Sequence, residues 1–286
     1  MGMSAFAERI LAGRWIAGPE ASDAIRVSRR LNSVNISAIL NYLGEDLKYR
    51  GEIRDAVHTY LHLMNLIKSG RINASLSIKP SQIGLSINYE LARYNYSYLA
   101  KAARSYGVFL WMDMESHSTV NDTLRMYKSE LRNGNVGICL QAYLRRSMDD
   151  LKDMVRLNGT IRLVKGAYKE GSDVAFPTRE QITKNYSSMM GYLFRKARSR
   201  HFMIATHDPS MVLLSLKLEK STGKKPMYAM LNGIRNNYAS RLARREQVSL
   251  YVPFGRAWIP YASRRLREEG HFSLIIKSLL ERQDLV

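Results

Sequence analysis

An α/β chain closed into a (βα)8 TIM barrel is the fold the sequence predicts, and three observations predict it. Eight short apolar segments rich in β-branched or aromatic residues alternate with helix-like segments. Several of them are continuous apolar runs rather than alternating ones, the pattern of parallel strands covered on both faces. The length of 286 residues suits one barrel of about 250 residues with small additions. The alternative is an open doubly wound sheet, which no GxGxxG or Walker A run favours.

Residues 1–32 read as a helical cap, 33–270 as the barrel and 271–286 as a last helix, together one domain over 1–286. NISAILNYLGE is the first strand candidate. YRGEIRDAVHTYLHLMNLIKSG follows, with Val57, Leu61, Met64 and Leu66 spaced for one helix face and Gly70 as a stop signal. ASLSIKPS then leads to INYELARYNYSYLAKAARSYG, GVFLWMDME to STVNDTLRMYKSELRNG, and VGICLQAY to SMDDLKDMVRLNG. TIRLVKGAY leads to TREQITKNYSSMMGYLFRKARSR, FMIATHD to DPSMVLLSLKLEKSTGKK, MYAMLNG to NYASRLARREQ, and SLYVPFG to WIPYASRRLREEG. Most of these helices end on Gly or a basic turn, where cations oppose the negative end of the dipole. FSLIIKSLLERQDLV closes the chain as an amphipathic helix, with Phe272, Ile275, Ile276, Leu279 and Leu280 on one face.

Apolar residues make up 45% and charged residues 24%, ordinary globular values that exclude wholesale disorder. Cys139 is the single cysteine, which excludes an intramolecular disulfide, a multi-cysteine zinc site and a cysteine-ligated iron–sulfur cluster. Lys plus Arg number 44 against 25 Asp plus Glu, a formal charge of +19. Such a field attracts polyanions, nucleic acid or an anionic bilayer; a generically basic solvated surface is the plainer reading. No apolar run approaches the roughly 20 residues that span a bilayer. The N-terminal stretch is broken by Glu8, Arg9 and Arg14, so it lacks a signal-peptide core, and Phe6 stands where a myristoylation signal wants Ser or Thr. The expectation is a cytoplasmic protein, peripheral at most to the inner face of the membrane.

Function in such a barrel lies at the C-terminal ends of the strands. The second strand ends at Lys79 and the third in Asp113-Met114-Glu115. The fourth carries Gln141 and Tyr143, the fifth Arg162, Lys165 and Tyr168 around Gly166. The sixth ends in Thr206-His207-Asp208, the eighth begins at Tyr251, and the following helix carries Arg264 and Arg265. Singly, each has a plain reading: a solvated strand end for Lys79, a helix cap for Asp113, a satisfied core histidine for His207, surface charge for the arginines. Brought to one mouth, they form a cationic cluster with one carboxylate, suited to a small zwitterion whose carboxylate an arginine fork can hold.

LSIKP around Lys79, WMDMES around Asp113, LQAYLRRS around Gln141, RLVKGAY at 162–168, ATHDP at 205–209, YVPFG at 251–255 and YASRRLREE at 261–269 closely resemble the motifs of the proline dehydrogenase family, in family order over roughly residues 40–270. The resemblance implies a distorted (βα)8 barrel that binds FAD non-covalently and oxidises L-proline to Δ1-pyrroline-5-carboxylate. It implies that Arg264 and Arg265 grip the proline carboxylate, assisted by Lys79, with Asp113 holding Lys79. Tyr251 and Leu231 would pack around the pyrrolidine ring, and Ala167 and Tyr168 match positions near the substrate. Arg162 would lie near flavin N5 and Gln141 at the pyrimidine edge, while Val164, Lys165, Gly166, Ala167, Thr206, His207 and Glu268 match other cofactor positions. No metal is implied. The hydroxyproline-oxidising branch has a smaller residue at the Tyr251 position. The resemblance further points to a membrane quinone as acceptor and to a separate pyrroline-5-carboxylate dehydrogenase, since no aldehyde dehydrogenase or DNA-binding module is recognisable.

Two departures stand out: Lys169 where some members have Trp near the adenosine, and Asn232 where some have His. Two rival readings compete. A Schiff-base aldolase on the same fold would use Lys79 or Lys165, but leaves the paired arginines unexplained. A nucleic-acid-binding protein would use the +19 charge, yet its basic residues are dispersed and no recognised nucleic-acid motif is present.

Overall fold

The structure is a computed structural model and describes residues 15–198 and 200–258. Residues 1–14 of the expected cap, the YASRRLREE segment with Arg264, Arg265 and Glu268, and the expected helix at 271–286 lie outside the described residues.

Eight parallel strands close in sequence order, each paired with its neighbours and β1 with β8. They are β1 (Ile36–Tyr42), β2 (Ala74–Ile78), β3 (Leu110–Met112), β4 (Val136–Gln141), β5 (Thr160–Val164), β6 (Phe202–Ala205), β7 (Met227–Leu231) and β8 (Val248–Phe254). Among the described residues the longer helices are α1 (Ala21–Asn32) before β1, then α2 (Arg50–Ser69), α3 (Tyr89–Tyr106), α4 (Val120–Glu130), α5 (Ser147–Arg156), α6 (Arg179–Lys196), α7 (Pro209–Thr222) and α8 (Asn236–Ala243). The closing seam is long, running from Ile36 opposite Val248 to Tyr42 opposite Phe254.

Local chemistry sets the helix ends. The Asn88 side chain accepts from the Leu91 N–H to open α3, which stops at Gly107 with φ of 71°. Asp208 accepts from the Ser210 N–H to open α7, which stops at Gly223. Along α2 the buried stripe is Ile53, Ala56, Val57, Tyr60, Leu63, Met64 and Ile67. Leu61 and Leu66, expected on that face, are only half buried at its edges, because a 3.6-residue turn rotates them off the stripe.

The main core lies between strands and helices. Ile39, Trp111, Met203 and Ala229, from four different strands, fill the barrel interior with Tyr251 packed on them. The strands are shorter at their mouth ends than the apolar runs indicate. β3 ends before Asp113 and β5 before Lys165, so both residues start mouth loops. β8 begins at Val248, which corrects the reading that placed its start at Tyr251. Tyr251 pairs with Ile39 in mid-strand. The segment ahead of α1 lies along the end of β8, the Ala17 N–H donating to Pro253 O at 2.9 Å and Gly255 N–H to Gly18 O at 2.8 Å. Among the described residues no helix is long and apolar enough to cross a membrane.

Candidate active site

Residues of the strands and of the loops that follow several of them surround a cavity of about 230 Å³. Lys79, Asp113, Gln141, Arg162, Val164, Lys165, Gly166, Ala167, Tyr168, Thr206, His207, Leu231 and Tyr251 all line it, the expected site residues that fall within the described chain. Arg264, Arg265 and Glu268 do not fall within it.

Asp113 is the centre of this site. Its backbone N–H continues the β2–β3 ladder to Ile78 O, 2.8 Å, so its carboxylate is fixed at the strand end. Oδ1 accepts from Ser77 Oγ at 2.8 Å and from Arg162 Nη2. Oδ2 accepts from Lys79 Nζ at 3.4 Å and from the Tyr251 hydroxyl at 2.9 Å. Burial raises its pKa, but Lys79 and Arg162, with the hydrogen bonds of Ser77 and Tyr251, lower it more; the group is held below the usual carboxylate range. Lys79 answers in kind. Burial alone would lower it, yet Asp113 and neighbouring groups hold it well above the usual lysine value.

Lys79 follows β2 and also approaches Glu45 Oε1, 3.3 Å away. Next to it, Glu115 takes the Ser81 N–H and Oγ, both at 2.7 Å, and burial raises its pKa. The cationic cluster with one carboxylate is therefore corrected: Glu45, Asp113 and Glu115 all gather around Lys79. Strand-end counting missed Glu45 because a β1–α2 loop residue carries no strand period.

Arg162 projects from the middle of β5 across the barrel. Its guanidinium lies between aromatic faces, 5.2 Å from the Trp111 ring centroid and 5.6 Å from that of Tyr251. Nη2 also donates to Ser77 Oγ at 3.0 Å. Nη1 is buried and has no hydrogen-bond partner among the described residues. A buried donor left unmatched costs about 1–3 kcal/mol, so the arrangement fits an acceptor brought by a bound group. Ser77, which ties Arg162 to Asp113, was not singled out from the sequence. It stands two residues before Lys79, on the same strand face, and the two-residue period was the available signal.

On the opposite wall, Gln141 donates its amide to Glu115 O at 2.8 Å. His207 Nε2 accepts from the Leu231 N–H at 2.9 Å, which puts the proton of the neutral ring on Nδ1. The Arg235 guanidinium holds the same loop through His207 O, 2.9 Å. Lys165 Nζ bonds Thr183 Oγ1 and Asp208 Oδ2, both at 3.2 Å. Gly166 has φ of 110°, and a Cβ there would overlap the Tyr143 ring. Both the left-handed backbone and the Tyr143 ring therefore require a residue without a Cβ here.

The barrel mouth thus holds a buried carboxylate with two cations locked to it and an unmatched arginine donor. Residues 24–276 match the family described as proline dehydrogenase. The chain belongs to the proline dehydrogenase family. It is 29% identical to Proline dehydrogenase 1 of Bacillus subtilis over 97% of this chain and 93% of that protein. It is 31% identical to Proline dehydrogenase 2 of the same organism over 91% and 87%. Against Proline dehydrogenase of Deinococcus radiodurans the identity is 31% over 90% and 86%. Among solved structures, proline utilization A (PutA) from Bdellovibrio bacteriovorus, inactivated by N-propargylglycine, superposes with a TM-score of 0.82 at 20% identity, over 91% of this chain and 32% of that one. PutA from Corynebacterium freiburgense gives 0.80 at 23%, over 99% and 34%. At these identities the structural likeness shows the barrel fold, and the chain spans about a third of those longer proteins. As a proline dehydrogenase family member the protein is an oxidoreductase acting on proline.

Proposed function

We propose that the protein oxidises L-proline to Δ1-pyrroline-5-carboxylate at this mouth, the first step of proline catabolism, with non-covalently bound FAD. The observation that carries the reading is the Asp113 network, which presents Lys79, Tyr251 and the unmatched Arg162 Nη1 to one small cavity. FAD, when bound, supplies the two-electron acceptor for a hydride lost from the ring carbon beside nitrogen.

The chain's own groups do the rest. Arg264 and Arg265 take the substrate carboxylate, with Lys79 adding a third positive charge, and this anchoring fixes the reacting carbon. Asp113 holds Lys79 and Arg162 in place. Tyr251 and Leu231 bound the ring, beside Ala167 and Tyr168. Arg162 is poised to stabilise negative charge developing on the acceptor. Gln141, Val164, Lys165, Gly166, Thr206, His207 and Glu268 complete the cofactor cradle, with the Nδ1 proton of His207 as a donor. The Schiff-base alternative fails on Lys79: a lysine held well above its usual pKa between Asp113 and Glu45 is the opposite of the neutral amine that reaction needs.

Electrons pass on to a membrane quinone in this reading, and the product to a separate pyrroline-5-carboxylate dehydrogenase. The +19 charge supports peripheral contact with an anionic membrane. The test is the absorption spectrum of purified protein before and after anaerobic L-proline. A flavin band near 450 nm that bleaches is expected. A colourless protein, or a band indifferent to proline, would reject the reading.

A further inference from the structure

Glu115 is buried two residues after Asp113, and the proposed chemistry gives its side chain no part. One residue takes both of its oxygens. Oε2 accepts from the Ser81 N–H and Oε1 from the Ser81 hydroxyl, each at 2.7 Å. Two received donors suit the ionised, acceptor-only carboxylate. Burial raises its pKa, and Lys79 together with the Ser81 bonds works against that rise.

The Ser81 hydroxyl also accepts, from the Asp46 N–H at 3.0 Å. Its own proton is therefore directed at Glu115. A relay runs from the Asp46 backbone through Ser81 to Glu115, and it joins three loops. Glu115 follows β3, Ser81 lies in the 3-10 turn Pro80–Ile83 after β2, and Asp46 lies in the loop after β1.

Gln82, in the same turn, anchors the end of β1. Its Nε2 donates to Tyr42 O at 2.6 Å, while Oε1 accepts from the Lys79 N–H at 3.2 Å and the Tyr60 hydroxyl at 3.0 Å. Beyond that anchor, residues 44–48 make no backbone–backbone hydrogen bond among the described residues. Asp46 holds a φ of 54°, a conformation that costs a non-glycine residue energy and persists where its surroundings impose it. Two contacts draw this loop inward: the Asp46 N–H on Ser81, and the neighbouring Glu45 carboxylate 3.3 Å from Lys79.

We propose that Ser81 and Glu115 are positioning residues for Glu45, their relay setting the loop after β1 so that the Glu45 carboxylate meets Lys79. The proposal rests on the reading above, in which Lys79 faces the substrate carboxylate. An ammonium on a four-carbon stem is mobile unless held. Asp113 and Glu45 together fix it, and Glu45 reaches it because the relay holds the loop. Small misplacements of a group that orients substrate are costly in rate.

The test is a double-mutant cycle on the full-length holoenzyme. Ser81→Ala removes the hydroxyl and keeps the backbone bond to Glu115. It should lower kcat/KM for proline about tenfold while flavin content stays at the wild-type level. Glu115→Gln retains an acceptor for the Ser81 N–H and should lose only about threefold. Both losses should vanish in the Glu45→Gln background, because the relay acts through that carboxylate. A purely structural role for Ser81 predicts the same loss in either background, and that result would overturn the proposal. Should Ser81→Ala not fold, Glu115→Gln carries the same cycle. Crystal structures of the wild type and Ser81→Ala add a readout that needs no turnover. The separation of Glu45 from Lys79 should open beyond about 4 Å, the limit of an ion pair; an unchanged contact would overturn the proposal. A wild type whose flavin band ignores proline would instead reject the proposed function, and the crystal comparison would still decide the link between Ser81 and Glu45.

Discussion

Tyr251 on β8 reaches Asp113 after β3, its hydroxyl donating to Oδ2 at 2.9 Å while Lys79 takes the same oxygen. The contact joins strands that are not neighbours in the barrel. It commits the tyrosine hydroxyl to a carboxylate and leaves the ring as a wall of the cavity. In the proposed reading, substrate choice and charge placement therefore depend on one side chain.

The first consequence concerns ring substituents. A fixed tyrosine ring with an engaged hydroxyl offers an added substrate hydroxyl neither room nor partner. Overpacking of this kind costs about 1–3 kcal/mol, roughly 5- to 150-fold in specificity. L-proline should be preferred over trans-4-hydroxy-L-proline, and Tyr251→Ser should narrow the gap. Measuring kcat/KM for both substrates on both enzymes decides it; an unchanged ratio would remove Tyr251 as the selector.

Asp113 serves two cations, so its loss should cost more than the loss of either. Asp113→Ala strands Lys79 and Arg162 in a buried site, and breaking a buried pair on one side costs about 3–5 kcal/mol. Lys79→Met should be milder. In a double-mutant cycle on kcat/KM the two should be strongly non-additive. Simple additivity would show that the 3.4 Å approach carries no functional coupling.

The same network sets a pH window. Asp113 is lowered in the fold, so its contribution is complete above its unfolded value of about 3.9 and is lost as pH falls through the lower folded value. Lys79 is raised, so its contribution is complete below about 10.4 and is lost as pH rises through the higher folded value. The Tm difference between wild type and Asp113→Asn should be level from about pH 5 to 9 and shrink in stronger acid. A difference that varies across neutral pH would place another titrating group in control.

Arg264→Met or Arg265→Met should raise KM for proline and lower kcat/KM by about a hundredfold or more, from roughly 2–5 kcal/mol for a broken buried charge pair. Flavin content should stay near that of the wild type. An unaltered kcat/KM would exclude that arginine from the substrate clamp.

Gly166→Ala tests the mouth backbone. With φ of 110° and the Tyr143 ring in the way, alanine should destabilise by at least the 1–3 kcal/mol typical of a strained backbone. Denaturant unfolding of the two proteins provides the comparison, and equal midpoints would contradict the strain.

Much of this protein could be read from its residues in a line. Several strands of the barrel contain a continuous apolar run visible in the sequence, because burial on both faces of a parallel strand removes most polar residues from it. The mouth residues Lys79, Asp113 and Gln141 were legible for a related reason, as polar groups at the ends of largely apolar segments, and Arg162 as a charge inside one: each interrupts a pattern that packing alone would continue. What the line could not contain was who meets whom. Ser77 and Arg162 are 85 positions apart and Tyr251 and Asp113 138, and only closure of the barrel makes each pair neighbours. The three carboxylates around Lys79, the tyrosine hydroxyl bound to Asp113 and the unmatched Arg162 nitrogen are likewise products of that closure. Hydrophobic periodicity is written locally and decides the elements; electrostatic partnership depends on distance in space, which the tertiary fold alone decides.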